Sequence, residues 1–83
     1  MSQSIVVPPL GGTETPLTVS MWFVRVGDEV AVGDRVVEIL APGMTFDVSA
    51  PGHGTVTEIT TREGATVAVG DVLGKIADGA DAN

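Results

Sequence analysis

The chain has no cysteine, only three arginines and one lysine, a single histidine, and no long apolar run. Each scarcity excludes a class of function. Without cysteine there is neither a disulfide framework nor a thiolate zinc site. Four cationic side chains cannot line a phosphate backbone, so nucleic acid is excluded as a partner. The longest apolar run, Met21-Trp22-Phe23-Val24, is far shorter than a bilayer span. Met1-Ser2-Gln3-Ser4 has neither the charged nor the apolar region of a secretory leader, so a cytoplasmic, membrane-free protein is the expectation. His53 has no second histidine or cysteine to share a metal, and no paired acid and base or cofactor loop stands out. Catalytic and metal sites are therefore expected to be absent.

What is present is 83 residues with a formal net charge of −7, the acids scattered rather than in a block. That length gives one small domain with a compact core. The boundaries expected are a domain over 1–78 and a flexible C-terminal tail over 79–83.

The chain also repeats itself. Val30-Ala31-Val32-Gly33-Asp34 recurs as Val67-Ala68-Val69-Gly70-Asp71, an offset of 37 residues. At the same offset Val19 matches Val56, Gly27 matches Gly64, Val36 matches Leu73 and Ile39 matches Ile76. Val7-Pro8 resembles Ala50-Pro51 at a larger offset, so the first half carries extra residues near Gly11 to Pro16. Two copies are too few for a solenoid; they predict two intertwined halves about a pseudo-two-fold axis. In each half a β-rich run (Leu17 to Val26; Thr55 to Thr61) leads to a glycine turn, a Val-Ala-Val segment, Gly-Asp, and another strand. Valine, isoleucine and threonine dominate between the turns, and no helical period emerges. The expected fold is all-β.

The stretch Glu38-Ile39-Leu40-Ala41-Pro42-Gly43-Met44-Thr45-Phe46-Asp47-Val48 reads as two strands and a tight turn. Pro42 presets the φ of the second residue of a type II turn, and Gly43 tolerates the positive φ of the third. Met44, Phe46 and Val48 then alternate with Thr45, Asp47 and Ser49. The tip is apolar and holds no nucleophile, base or metal ligand. Leu40, Ala41, Pro42, Gly43 and Met44 are the candidate partner-binding residues, with alternation turning some of them inward. Elsewhere, Asp34 and Asp71 read as turn formers that cap local amides. Trp22 reads as a core or partly buried residue, His53 as an exposed turn residue, and Gly11-Gly12-Thr13-Glu14 as a surface loop lacking the Lys-Ser/Thr of a phosphate loop.

In order along the chain, Val6-Val7-Pro8-Pro9-Leu10-Gly11, Met21 to Asp28, Val32 to Ile39, Ala50-Pro51 with Gly54, and Gly70-Asp71-Val72-Leu73 resemble the lipoyl domains of 2-oxo acid dehydrogenase acyltransferases. The biotinyl carrier domain is a close cousin, matched at Ala41 and Met44. The resemblance implies a flattened β-barrel, or barrel-sandwich hybrid, of two four-stranded antiparallel sheets. It also implies a lysine at the hairpin tip that is amidated by lipoate or biotin. Counting from Glu38 and back from Ala50-Pro51 puts that position at Gly43, with Pro42 where such domains usually have Asp and Met44 where they usually have Ala. The lone lysine, Lys75, corresponds to Glu38 in the repeat and falls within a strand. Two readings follow. One is a monomeric, non-enzymatic binding or structural module, without a cofactor, whose partner is of dehydrogenase or acyltransferase type. The other is a genuine lipoyl or biotinyl carrier modified by an unusual route.

Overall fold

The computed structural model describes residues 2–9 and 17–78. The tail expected at 79–83 and the residues near Gly11 to Pro16 lie outside these. Eight strands follow in order: β1 (Ser2–Val6), β2 (Leu17–Trp22), β3 (Glu29–Val30), β4 (Arg35–Ala41), β5 (Met44–Ser49), β6 (Gly54–Ile59), β7 (Thr66–Val67) and β8 (Val72–Asp78). They form two four-stranded antiparallel sheets, ordered β1-β8-β6-β3 and β5-β4-β2-β7. The result is the flattened barrel-sandwich that the resemblance implies, and the all-β fold that the residues themselves predict.

The repeat is the symmetry of this fold. Strands β2, β3 and β4 map onto β6, β7 and β8 at the offset of 37, and β1 maps onto β5. Each half crosses between the sheets at its glycine turn. There the Gly27 N–H donates to the Val56 carbonyl at 2.7 Å, and the Gly64 N–H to the Val19 carbonyl at 2.8 Å. Even the irregularities repeat. The register slips between Val19 and Met21 on β2 and between Val56 and Glu58 on β6. It slips again at Val36 on β4 and at Leu73 on β8. Each slip is one extra residue that bends its strand and increases its twist.

One expectation about strand length is corrected. The run Leu17 to Val26 stops being a strand at Trp22, and the Val-Ala-Val segments contribute only the two-residue strands β3 and β7. The chain must leave one sheet and reach the other between Phe23 and Asp28, and a continuous strand could not make that bend.

Alternation along the strands builds the core. Ile5, Leu17, Val19, Val36, Val37, Ile39, Val56, Leu73 and Ile76 are all buried, each no more than 1% exposed. No buried side-chain nitrogen or oxygen among the described residues lacks a hydrogen-bond partner. Burial of this many branched aliphatic side chains, each worth about 1.5–3 kcal/mol, is what holds a domain without disulfides together.

Close backbone approach fixes the β6–β8 pairing. A Cβ on Gly54 would sit 1.9 Å from the Ala77 carbonyl oxygen, so only glycine fits there. No helix among the described residues is long and apolar enough to cross a membrane, a fact that says nothing of β-barrel membrane proteins.

Candidate functional site at the hairpin apex

Strands β4 and β5 pair to their last residues, Ala41 opposite Met44, which leaves Pro42 and Gly43 as a two-residue loop. Proline holds φ near −65°. Gly43 has φ +76°, and no non-glycine residue among those described has a positive φ. A type I′ turn, which needs positive φ at both loop positions, is thereby excluded, and the type II turn predicted from Pro-Gly is what forms. Residue 43 is the apex. A Cβ built there meets nothing within 4 Å, so space is open while the backbone conformation is one that L side chains rarely adopt.

The turn gathers the five candidate residues, but not all face solvent. Leu40 and Met44 are 47% and 52% exposed, and Pro42 and Gly43 are exposed, whereas Ala41 is 4% exposed and belongs to the core. Leu40 lies opposite Thr18 and Thr45 on the outer face of its sheet. Phe46, opposite Ile39, is half-buried and packs on the core from inside. The apex thus presents a small apolar surface with no titratable group on it.

The other sequence candidates lie elsewhere. Lys75 is half-buried in β8, in the opposite sheet, facing Ser4 on one neighbouring strand and Glu58 on the other. His53 is exposed in the β5–β6 connection, and no group of three or more metal-ligating residues forms among the described residues. Asp34 and Asp71 do the same job twice: each Oδ2 accepts from a backbone N–H three residues back, Ala31 at 2.8 Å and Ala68 at 2.9 Å. Trp22 is half-buried, its Nε1–H donating to the Thr61 carbonyl at 2.8 Å. Gly11 to Glu14 lie outside the described residues.

Sequence reasoning missed two features. One is a groove of about 210 Å³ between the edge strands, lined by Ser4, Ile5, Val6 and Pro8 and by their repeat counterparts Asp47, Val48, Ser49 and Pro51. The other is a broad cleft of about 480 Å³ beside the start of β4, lined by Phe23, Val24, Asp28, Glu29, Val30, Asp34 and Arg35. Beside it the Arg35 guanidinium lies 5.3 Å from the centre of the Phe23 ring and 3.3 Å from Asp47 Oδ2. The signal that could have found the cleft was in the repeat: Phe23, Asp28, Glu29 and Arg35 have Thr60, Ala65, Thr66 and Val72 as their equivalents.

A family model described as "Biotin-requiring enzyme", covering the biotin and lipoyl domains, matches residues 3–76. The chain belongs to the biotin–lipoyl family. Relatives by sequence are parts of larger proteins. The succinyltransferase component of the 2-oxoglutarate dehydrogenase complex from Rickettsia conorii is 41% identical over 83 residues, all of this chain and 21% of that protein. The lipoamide acyltransferase component of the branched-chain alpha-keto acid dehydrogenase complex from Bacillus subtilis is 34% identical over 74 residues, 89% of this chain and 18% of that one. This member of the family therefore spans about a fifth of the length of such relatives. In three dimensions it is similar to the lipoyl domain of the 2-oxoglutarate dehydrogenase complex from Azotobacter vinelandii, with a TM-score of 0.72 and 29% identity over 92% of this chain and 99% of that domain. It is also similar to a part of Kluyveromyces lactis urea carboxylase, with a TM-score of 0.77 and 26% identity over 93% of this chain and 6% of that enzyme. The domain is thus of lipoyl type, related to acyltransferase components of 2-oxo acid dehydrogenase complexes.

Proposed function

We propose that this lipoyl-type domain carries no prosthetic group on its hairpin and works as a binding or structural module in the cytoplasm, as a monomer. Its partner is a protein of dehydrogenase or acyltransferase type. The observation that carries the reading is the apex itself. Lipoate and biotin attach through an amide to a primary amine, and residue 43 is a glycine with φ +76°. The residues present do not fit the group: no side chain at the tip can be acylated, and the chain's one lysine lies within β8. With the tether gone, what remains to be recognised there is Leu40, Pro42, Gly43 and Met44, with Ala41 anchoring the loop from below.

A second reading keeps the carrier role, with lipoate attached by an unusual route. The 41% identity to a succinyltransferase component across the whole chain favours it. Incubation of the purified protein with a lipoate ligase, ATP and lipoate separates the two, with Gly43→Lys alongside. The first reading expects the mass of the natural protein to stay unchanged while the variant gains one lipoyl group. A lipoyl adduct on Lys75 of the natural protein would establish the second reading instead.

A further inference from the structure

The pseudo-two-fold axis makes each half of the molecule a control for the other. A feature that both halves share serves the fold or is neutral to it; Val32 and Val69, both exposed at equivalent turns, are of that kind. Features in one half only are not required by the architecture. On the outer side of the β5-β4-β2-β7 sheet, Met21, Phe23 and Leu40 are each at least 40% exposed, and Val26 beyond them is 59% exposed. Their equivalents are Glu58, Thr60, Ala77 and Glu63. Some traffic runs the other way, since Val6 and Val72 pair where the first half has Ser49 and Arg35, but that is one isolated pair. Met21, Phe23 and Leu40 instead make a stripe along β2 and β4. Met21 lies opposite Glu38, Leu40 is two residues nearer the apex on the same face, and the Phe23 N–H donates to the Val36 carbonyl at the far end.

The charges on this face point to the occupant. Glu38 lies directly opposite Asp47 across β4 and β5, a like-charge pair that destabilises a sheet. The equivalent pair in the other half is Lys75 and Ser4, so the fold does not need two acids there. Arg35 compensates only Asp47, at 3.3 Å, which leaves Glu38 without a cation among the described residues, in the middle of an apolar stripe. The net charge of −7 disfavours a second copy of the same chain or an anionic membrane as the cover.

We infer that the outer face of the β5-β4-β2-β7 sheet docks a basic amphipathic helix of a partner protein, its apolar side on Met21, Phe23 and Leu40 and a lysine or arginine on Glu38. A helix suits a sheet face whose central strands already have both neighbours, because layers of helix on sheet bury an apolar stripe without needing a free strand edge. This rests on the reading of the domain as a binding module, but it does not depend on whether lipoate is ever attached.

The test is an NMR titration of the isotope-labelled protein with a synthetic leucine–lysine amphipathic helix of about 18 residues. Two variants are used: Met21→Gln/Phe23→Thr/Leu40→Ala, with a neutral glutamine so that no new acid faces Glu38, and Glu38→Lys, the residue of the equivalent position. Because the changed side chains are exposed or half-buried and outside the core, both variants should stay folded, checked by the Trp22 fluorescence transition. Expected are shift changes confined to β2, β4 and the apex. Binding should weaken about tenfold or more in each variant and fall with added salt. The Glu38→Lys variant should instead favour a leucine–glutamate helix. Absence of binding, shifts spread over both sheets, equal binding by the variants, or titration onto anionic vesicles in place of the peptide would each overturn the inference. So would self-association of the protein across this face. The lipoate-ligase result leaves this test untouched, so the two readings fail independently.

Discussion

At residue scale the account turns on Pro42 and Gly43. The Pro-Gly signature was legible because each residue has one dominant conformational effect: proline fixes φ, and glycine alone accepts +76° cheaply. Ala41, offered as a partner-binding residue, is buried instead; it shares its parity with Ile39, a signal the reading of the tip did not use. The exposure of Met44 was not legible. It lies opposite Ala41 and by alternation belongs inside, yet it is half exposed, because it sits in the last pair of the hairpin, where the paired strands end. The same backbone predicts what restoring an amine would cost. A lysine at position 43 finds open space but must hold a left-handed conformation, a penalty of about 1–2 kcal/mol. The Gly43→Lys variant should therefore fold, with a thermal midpoint lower by roughly 4–8 °C per kcal/mol lost, as read by calorimetry. An unchanged midpoint would mean the loop has rearranged into another turn type.

At the scale of elements, the turns and strands were more legible than the kinks. Gly33-Asp34 and Gly70-Asp71 announced turns, and the predicted side-chain caps are present at 2.8 and 2.9 Å. Strand ends were overestimated at Leu17 to Val26 because composition cannot report where a chain changes sheets. The bulges were missed, although Val36-Val37 carries their mark: two adjacent buried residues break the alternation of a regular strand. Their equivalents Leu73-Gly74 repeat it with glycine as the second member. The two caps supply an internal comparison. Both sit on exposed turns, so Asp34→Ala and Asp71→Ala should each destabilise by about 1 kcal/mol, and by nearly equal amounts. Urea unfolding followed through Trp22 checks this; a large effect from only one would show that one of the two aspartates has a further role.

For the whole molecule, the offset of 37 held nearly all the information about architecture, because it pairs Ile39 with Ile76 and Val36 with Leu73 in mirrored sheets. The groove between β1 and β5 was not legible, since it depends on how the edges of the two sheets come together, whereas the Phe23–Arg35 cleft left a mark in the positions where the two halves of the repeat differ. Symmetry makes a stability prediction. Ile39 and Ile76 are each buried to within 1%, so Ile39→Ala and Ile76→Ala should each cost about 2–5 kcal/mol by the loss of packing and the cavity left. Against the 5–15 kcal/mol typical of a small domain, either change should leave the protein close to unfolding in mild urea. If one replacement proves nearly neutral, the two halves do not share one core.

The functional account depends on a tip with no amine, and peptide mass mapping of the protein purified from its native cells tests that most directly. The account predicts that the peptides containing Gly43 and Lys75 both have the masses of the bare polypeptide. A lipoyl or biotinyl increment on the Lys75 peptide would contradict it.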